Sequence, residues 1–170
     1  MIKELVGSGD IHKRISEVGR MLADYYRNRD FMLVMIANGG VFFGSDLARA
    51  IDLDFPIDII AVSSYHNDKQ GEALDFRCPP KLDCSGKYIL LVDEVLDSGN
   101  TLAATVRDFL RRGAKEVRTA VLVTKERPRK TTAVQNADWS CFSLPDVYLV
   151  GYGLDSNELC RNLDYLGVVE

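Results

Sequence analysis

One stretch of the chain concentrates the residue types that do chemistry. It reads Tyr88-Ile89-Leu90-Leu91-Val92-Asp93-Glu94-Val95-Leu96-Asp97-Ser98-Gly99-Asn100-Thr101-Leu102. An apolar run, fit for a buried strand, delivers the carboxylates of Asp93, Glu94 and Asp97 to its carboxyl end. A short turn of small and hydroxyl residues follows, and then a helix begins. The start of a helix offers N–H groups and the positive end of the dipole. Gly99 lets the backbone approach a ligand, and Ser98 and Thr101 supply hydroxyls. Such a turn suits a phosphate monoester. Neighbouring carboxylates repel an anion unless a cation or hydroxyl groups intervene. The parts together imply a ligand with a phosphate at one end and diol hydroxyls or Mg²⁺ at the other, a description that ribose 5-phosphate fits. The same pattern also serves in α/β proteins simply to cap a helix. The standard nucleotide motifs do not compete: Gly39 to Gly44 is followed by Ser45 with no lysine, and Gly151-Tyr152-Gly153-Leu154-Asp155-Ser156 lacks the third glycine of G-x-G-x-x-G.

The flanking elements follow from hydrophobic periodicity. Asp10 to Arg29 reads as an amphipathic helix with Ile11, Ile15, Val18 and Leu22 on one stripe and Asp10 as its N-cap. Phe31 to Ile36 is a continuous apolar run, as in a strand buried on both faces. Asn38-Gly39-Gly40 breaks it, and a helix follows with Phe43, Leu47 and Ile51 on one stripe. Ile57 to Val62, Tyr88 to Val92, Val117 to Val123 and Val147 to Val150 read as further strands. The helix after Thr101 is expected to carry Leu102, Val106, Phe109 and Leu110 inward and to stop at Gly113. Residues 66–86 are polar, contain Pro79-Pro80, Gly71 and Gly86, and read as a long loop, the kind that is usually functional or disordered. Strands alternating with helices predict a single-domain α/β fold: a mainly parallel twisted sheet flanked by helices on both faces. Ligands in such folds gather beyond the carboxyl ends of the strands.

Composition narrows the classes. The chain's 170 residues suit one domain and bury enough surface to need no disulfide or metal staple. Lys plus Arg is 21 and Asp plus Glu is 25, so the net charge is −4, unlike the basic footprint of a nucleic-acid-binding domain. No apolar run is long enough for a membrane span, and Met1-Ile2-Lys3-Glu4-Leu5 lacks the order of a signal peptide. Cys78, Cys84, Cys141 and Cys160 form no C-x-x-C pair and read as reduced thiols of a cytoplasmic protein. With only His12 and His66, a multi-histidine metal site is excluded.

Leu90-Leu91-Val92-Asp93-Glu94-Val95-Leu96-Asp97-Ser98-Gly99-Asn100-Thr101-Leu102 resembles the 5-phosphoribosyl-1-pyrophosphate (PRPP) motif of type I phosphoribosyltransferases: apolar strand, two acids, two apolar residues, then D-S/T-G-x-T. Three further segments are similar to the hypoxanthine-guanine branch. They are Ile36 to Phe43, Ser63-Ser64-Tyr65, and the stretch from Leu144 to Val169. In order, these segments cover nearly the whole chain. The resemblance implies a phosphoribosyltransferase fold over residues 1–170. It adds a mobile loop at about 63–80 and a small base-binding hood built from about 125–170 plus the N-terminal segment. It implies an enzyme of purine salvage that uses Mg²⁺ and joins PRPP to N9 of a 6-oxopurine. IMP or GMP and pyrophosphate are the products, and a homodimer or homotetramer is the expected assembly. Neither nucleic acid nor membrane is an expected partner.

Residue by residue, the resemblance makes Asp93 and Glu94 the acidic pair that holds the ribose hydroxyls, directly or through Mg²⁺. The family usually writes this pair Glu-Asp or Asp-Asp, so Asp-Glu is a departure. Asp97 becomes the general acid/base near N7 of the purine. Ser98, Gly99, Asn100 and Thr101 become the 5-phosphate cradle. Asn38, Gly39 and Gly40 become the pyrophosphate loop, with a cis peptide expected at Ala37–Asn38 and Asn38 standing where many relatives carry Lys or Arg. Ser64, Tyr65 and Arg161 also face pyrophosphate. Lys125, in Val123-Thr124-Lys125-Glu126-Arg127-Pro128-Arg129-Lys130, becomes the donor to O6 of the base, because an ammonium has donors and no acceptor. Without the resemblance it reads as a solvated lysine of a basic loop. Tyr148 stacks on the purine, Leu149 and Val95 lie against the base, and Asp155 is a Mg²⁺-linked acid near base and pyrophosphate. Two other readings stay open at this point. One is a regulator that binds PRPP or nucleotide without turnover. The other is a receiver-like signalling domain, which the D-S/T-G-x-T turn does not fit.

Overall fold

The structure is a computed structural model that describes residues 1–67 and 71–170; the side chains of residues 64–67 and 71–73 also lie outside the description. In chain order the elements are β1 (Ile2–Val6), α1 (Ser8–Tyr26), β2 (Phe31–Ala37), α2 (Gly40–Ala50), β3 (Ile57–Asn67), β4 (Gly71–Cys78), β5 (Tyr88–Leu96), α3 (Asn100–Arg111), β6 (Glu116–Glu126), β7 (Trp139–Pro145), β8 (Leu149–Val150) and β9 (Leu166–Val169). Among the described residues the strands form a six-stranded sheet in the order β4-β3-β2-β5-β6-β7 and a three-stranded sheet in the order β1-β9-β8. The larger sheet is parallel throughout except for the antiparallel pair β3–β4.

The central strands β2, β5 and β6 are buried on both faces along Phe31 to Ile36, Ile89 to Val92 and Ala120 to Val123, which is why those stretches are continuous apolar runs. Alternate side chains feed two cores. On one face Leu33, Met35, Leu90, Val92, Ala120 and Leu122 pack with Ile11, Ile15, Val18 and Leu22 of α1 and Phe43 and Leu47 of α2. On the other, Met32, Val34, Ile36, Ile89, Leu91 and Val121 pack with Leu102 and Phe109 of α3. Each such fully buried side chain stabilises the fold by about 1.5–3 kcal/mol. Helices on both faces leave the carboxyl edge of β2, β5 and β6 free for a site.

Several expectations are corrected. The stretch read as an aperiodic loop contains the end of β3 and all of β4. Leu74 and Phe76 pack on the α3-side core and alternate with Asp75 and Arg77, so a period of two was present there. The stretch from Val147 to Val150 adds no strand to the large sheet. Leu149 and Val150 pair with Val168 and Gly167 in the small sheet, and the large sheet takes β7 instead. Helix α1 begins after Gly7 and not at Asp10, which lies in its first turn, and it ends at Tyr26, short of Arg29. Leu110 points outward and is 46% exposed, while Phe109 is fully buried.

Candidate active site

The turn after β5 is built as its residues require. Gly99 has φ +74, a left-handed conformation in which a side chain is strained, and a Cβ there would lie 2.5 Å from the Val134 carbonyl oxygen. Gly99 is the N-cap of α3 and has no side chain with which to cap it, so the helix start faces the turn with its donors and dipole. The amide of Asn100 donates to Ser98 Oγ at 3.4 Å. Asp93, Val95, Asp97, Ser98, Gly99 and Thr101 are among the residues that line a pocket of about 130 Å³ at this turn.

Asp93 and Glu94 sit where the strand meets the turn after β2. Asp93 Oδ1 accepts from the Glu94 amide at 2.9 Å. Loss of hydration pushes the Asp93 carboxyl well above the usual carboxylate range, and the charge of Glu94 and a side-chain hydrogen bond to it add to the rise. The turn itself contains the cis peptide Ala37–Asn38. Gly39 lies against Glu94, since a Cβ on it would come within 2.2 Å of that carboxylate, and a Cβ on Gly40 would lie 3.0 Å from the Val92 carbonyl. Only glycine allows the acidic pair and this loop to approach so closely.

Asp97 and Lys125, 28 residues apart in sequence, meet at the end of the sheet because β5 and β6 are parallel neighbours, with Leu96 opposite Thr124. Lys125 Nζ lies 3.8 Å from Asp97 Oδ2 and 3.6 Å from Asp146 Oδ1. Both distances are ion pairs beyond hydrogen-bond reach, and the lysine side chain is 13% exposed. Among the described residues no acceptor takes a hydrogen bond from this ammonium. Arg127 Nη1 donates to Asp97 Oδ1 at 2.7 Å, and its Nε stands 3.6 Å from Asp146 Oδ2.

Most of the remaining side chains come from β8, the residue before it and the loop after it. Arg161 Nη1 donates to the Gly153 carbonyl at 2.7 Å, and its Nη2 pairs with Asp155 at 2.9 Å and Glu158 at 3.1 Å. Asp155 Oδ2 also accepts from the Glu158 amide. Gly153, with φ +102, packs on the loop after β2: a Cβ there would lie 2.1 Å from the Gly39 carbonyl oxygen. Tyr148 is 55% exposed for so large a ring, and its hydroxyl donates to the Asp155 carbonyl. Leu149 is buried and Val95 is partly buried, both on the α1-side core.

The structure thus brings Asp93, Glu94, Asn38, Gly39 and Gly40 together, and Asp97 together with Lys125. It joins Tyr148, Asp155 and Arg161 in one loop cluster. The side chains of Ser64 and Tyr65 lie outside the described residues. Sequence reasoning missed Arg127, Arg129 and Asp146. The signal for the two arginines was present as a run of cations directly after Lys125, at the end of the strand that neighbours β5.

A sheet with helices on both faces, a phosphate-type turn at its carboxyl edge, and a carboxylate–ammonium pair beside that turn define an α/β protein of the sugar-phosphate-handling class. The comparisons agree: the family model "Phosphoribosyl transferase domain" matches residues 8–157. The chain belongs to the phosphoribosyltransferase family. It is 34% identical over 170 residues to the hypoxanthine-guanine phosphoribosyltransferase of Bacillus subtilis, covering 99% of this chain and 93% of that one. It is 32% identical over 169 residues to the protein of the same name from Streptococcus pneumoniae R6, with the same coverages. Among solved structures, a hypoxanthine phosphoribosyltransferase from Staphylococcus aureus superposes with TM-score 0.91 at 30% identity, covering 99% of this chain and 91% of the other. A hypoxanthine-guanine phosphoribosyltransferase from Bacillus anthracis superposes with TM-score 0.91 at 27% identity over the whole of both chains.

Proposed function

We propose that this phosphoribosyltransferase transfers the 5-phosphoribosyl group of PRPP to N9 of a 6-oxopurine, hypoxanthine or guanine, releasing pyrophosphate and forming IMP or GMP. The observation that carries the base choice is the Lys125 ammonium. It is largely shielded from water, stands beside Asp97, and has no hydrogen-bond acceptor among the described residues. A carbonyl at position 6 completes it, whereas the amino group of adenine faces a donor with a donor. Leaving such a group unpaired costs about 1–3 kcal/mol, more when it is charged.

In this reading the turn Ser98–Thr101 holds the 5-phosphate and the pair Asp93–Glu94 takes the ribose hydroxyls. Asn38–Gly40, Ser64, Tyr65 and Arg161 meet pyrophosphate. Tyr148 covers the purine face, with Leu149 and Val95 beside it. Cleavage at the anomeric carbon develops positive charge there. Asp97 takes or gives the proton at N7, and Lys125 steadies O6. The mobile loop expected at about 63–80 includes residues that lie outside the described ones, and the small sheet β1-β9-β8 with the segment 125–170 forms the hood. Mg²⁺ fits the donors present. No set of three protein ligands for a metal occurs among the described residues. Mg²⁺, however, keeps waters and substrate oxygens and takes one or two carboxylates. Asp93 and Glu94 would hold it, with Asp155 near pyrophosphate, and when bound it neutralises charge on the leaving group. Its fit is supported by the acidic pair itself: Asp93 and Glu94 lie side by side with like charges opposed, and among the described residues no cationic side chain forms an ion pair with either.

No helix is long and apolar enough to cross a membrane among the described residues. The four cysteines are free, which suits the cytoplasm. The decisive assay mixes protein, Mg²⁺ and PRPP with hypoxanthine, guanine, xanthine or adenine and follows pyrophosphate. Turnover with hypoxanthine or guanine and little with adenine is expected; adenine as best substrate overturns the role of Lys125. Asp97→Asn lowers kcat by roughly 10²–10⁴-fold while PRPP binding persists, and an unchanged rate rejects the proton-transfer role.

A further inference from the structure

Arg129 makes a set of contacts that substrate binding does not explain. Its Nε donates to the Asp97 carbonyl at 2.8 Å, and its Nη2 donates to the carbonyls of Leu96 at 2.9 Å and Lys125 at 2.6 Å. Its Nη1 reaches the carbonyls of Gln135 at 3.2 Å and Arg127 at 3.4 Å. Every partner is a backbone oxygen, and among the described residues no carboxylate pairs with it. A guanidinium presents five N–H donors in one rigid plane, so a single side chain here ties three backbone segments together: the end of β5, the end of β6, and the loop 127–138.

The same loop also lies on the phosphate turn. The Val134 amide donates to the Gly99 carbonyl at 3.2 Å, and Gly99 has no room for a Cβ against the Val134 carbonyl. Gln135 Nε2 donates to the carbonyls of Lys130 and Ala133, which fixes the loop's own shape. The basic run after Lys125 is therefore not simply a solvated loop. Part of it fastens Asp97 to Lys125.

We propose that Arg129 is a positioning residue that sets the spacing of Asp97 and Lys125, and with it the discrimination between 6-oxopurines and adenine. This rests on the reading above in which those two side chains meet N7 and O6. The two purine atoms are fixed by the ring, so the two side chains must keep a fixed separation. β5 ends at Leu96 and its register with β6 stops at Leu96–Thr124, so Asp97 lies beyond the sheet, while Lys125 stays within β6 opposite Leu144 of β7. The guanidinium bridges the gap that the sheet leaves. Its charge, uncompensated by any described carboxylate, also sits beside a turn built for an anion.

Arg129→Met and Arg129→Lys test the proposal against the wild type. Arg129→Met removes the donors at similar length; Arg129→Lys keeps the charge and loses the planar fork. A 1 Å error in placement costs about 10²-fold, so kcat/KM for hypoxanthine is expected to fall by about 10²-fold in Arg129→Met. The ratio of hypoxanthine to adenine kcat/KM is expected to fall by roughly tenfold or more in both variants. Arg129→Lys recovers the KM for PRPP, because charge suffices there, without recovering that ratio. A merely structural arginine changes the active fraction, which cancels from the ratio. A ratio unchanged from wild type therefore overturns the proposal. A second readout does not need turnover. Amide hydrogen exchange in Arg129→Met is expected to rise together at 97–101 and 125–127, and a rise confined to the loop 127–138 overturns the coupling. Absence of 6-oxopurine turnover by the wild type defeats the substrate reading, and the exchange experiment then decides the coupling alone.

Discussion

Asp93 holds a carboxyl whose proton binds more tightly in the folded chain than in the unfolded one, because desolvation and then Glu94 oppose its charge. The sign of the consequence follows from linkage. Between the unfolded pKa near ~4 and the raised folded value, the folded state carries the extra proton, so stability falls as pH rises through that window. Asp93→Asn removes the penalty. Its Tm is expected above that of the wild type at about pH 7.5, with the gain shrinking toward zero as pH drops to about 4. Each unit of raised pKa corresponds to ~1.4 kcal/mol, or roughly 3–5 °C in a chain of this size. Turnover is expected to fall in the same variant, since the proposed function gives the pair the ribose hydroxyls. Thermal scans across pH check the claim, and a variant no more stable than wild type near neutrality refutes it. The acids of this site were legible in sequence because a strand, two acids and a glycine turn dictate their own geometry. Arg129 was not, because its function lies in where its guanidinium reaches across the fold, and a basic run by itself says only that it is charged.

Between elements, the contact to watch is the one that seats the loop after β8 on the turn after β2. Gly153 cannot take a side chain: φ is +102, and a Cβ would meet the Gly39 carbonyl at 2.1 Å. Arg161 holds the Gly153 carbonyl, and the Gly153 amide donates back to the Arg161 carbonyl at 2.9 Å. Gly153→Ala is therefore expected to displace Asn38–Gly40 and raise the KM for PRPP by roughly 10–100-fold, with a stability loss of about 1–3 kcal/mol. Steady-state kinetics and thermal unfolding check both; an unchanged KM shows that the two loops do not depend on each other. Tertiary contact of this kind is what periodicity does not report. The runs Phe31 to Ile36 and Tyr88 to Val92 could be read as strands because burial on both faces leaves no polar positions, and Val117 to Val123 could be read from its unbroken half, Ala120 to Val123, despite Arg118 and Thr119. β7 carries no clean alternation, since in Trp-Ser-Cys-Phe-Ser-Leu-Pro only Cys141 is buried, and β8 has two residues, too short for any pattern. β4 could have been read from Leu74 and Phe76, but prolines and glycines around it dominated the stretch.

For the whole molecule, the layering leaves a seam uncovered beside α2. α1 and α2 cover β2, β5 and β6 on their face of the sheet, but β3 on that same face presents Ile57 and Ile59 at 46% and 42% exposure. Their register partners Leu33 and Met35 are buried. Phe42 of α2 is 41% exposed. Ser45, Ala48 and Arg49, one to two turns further along α2, line a groove with Ile57 and Met35. Exposed apolar side chains beside a groove that Ser45 and Arg49 rim suit an isologous contact between two copies, because each copy presents the same residues. A second copy of this chain, if it docks, is expected to meet this face. Ile59→Lys is the informative change. The site is exposed in the single chain, so its fold should lose no more than about 0.5 kcal/mol, whereas two lysines brought together across a two-fold contact repel and meet no partner. Light scattering of the wild type is expected to give twice the chain mass at micromolar concentration, and Ile59→Lys the single mass with its circular dichroism unchanged. A variant that stays dimeric places the contact elsewhere. A wild type that is monomeric means that this seam stays open to water, at a cost in solubility that a net charge of −4 would have to offset.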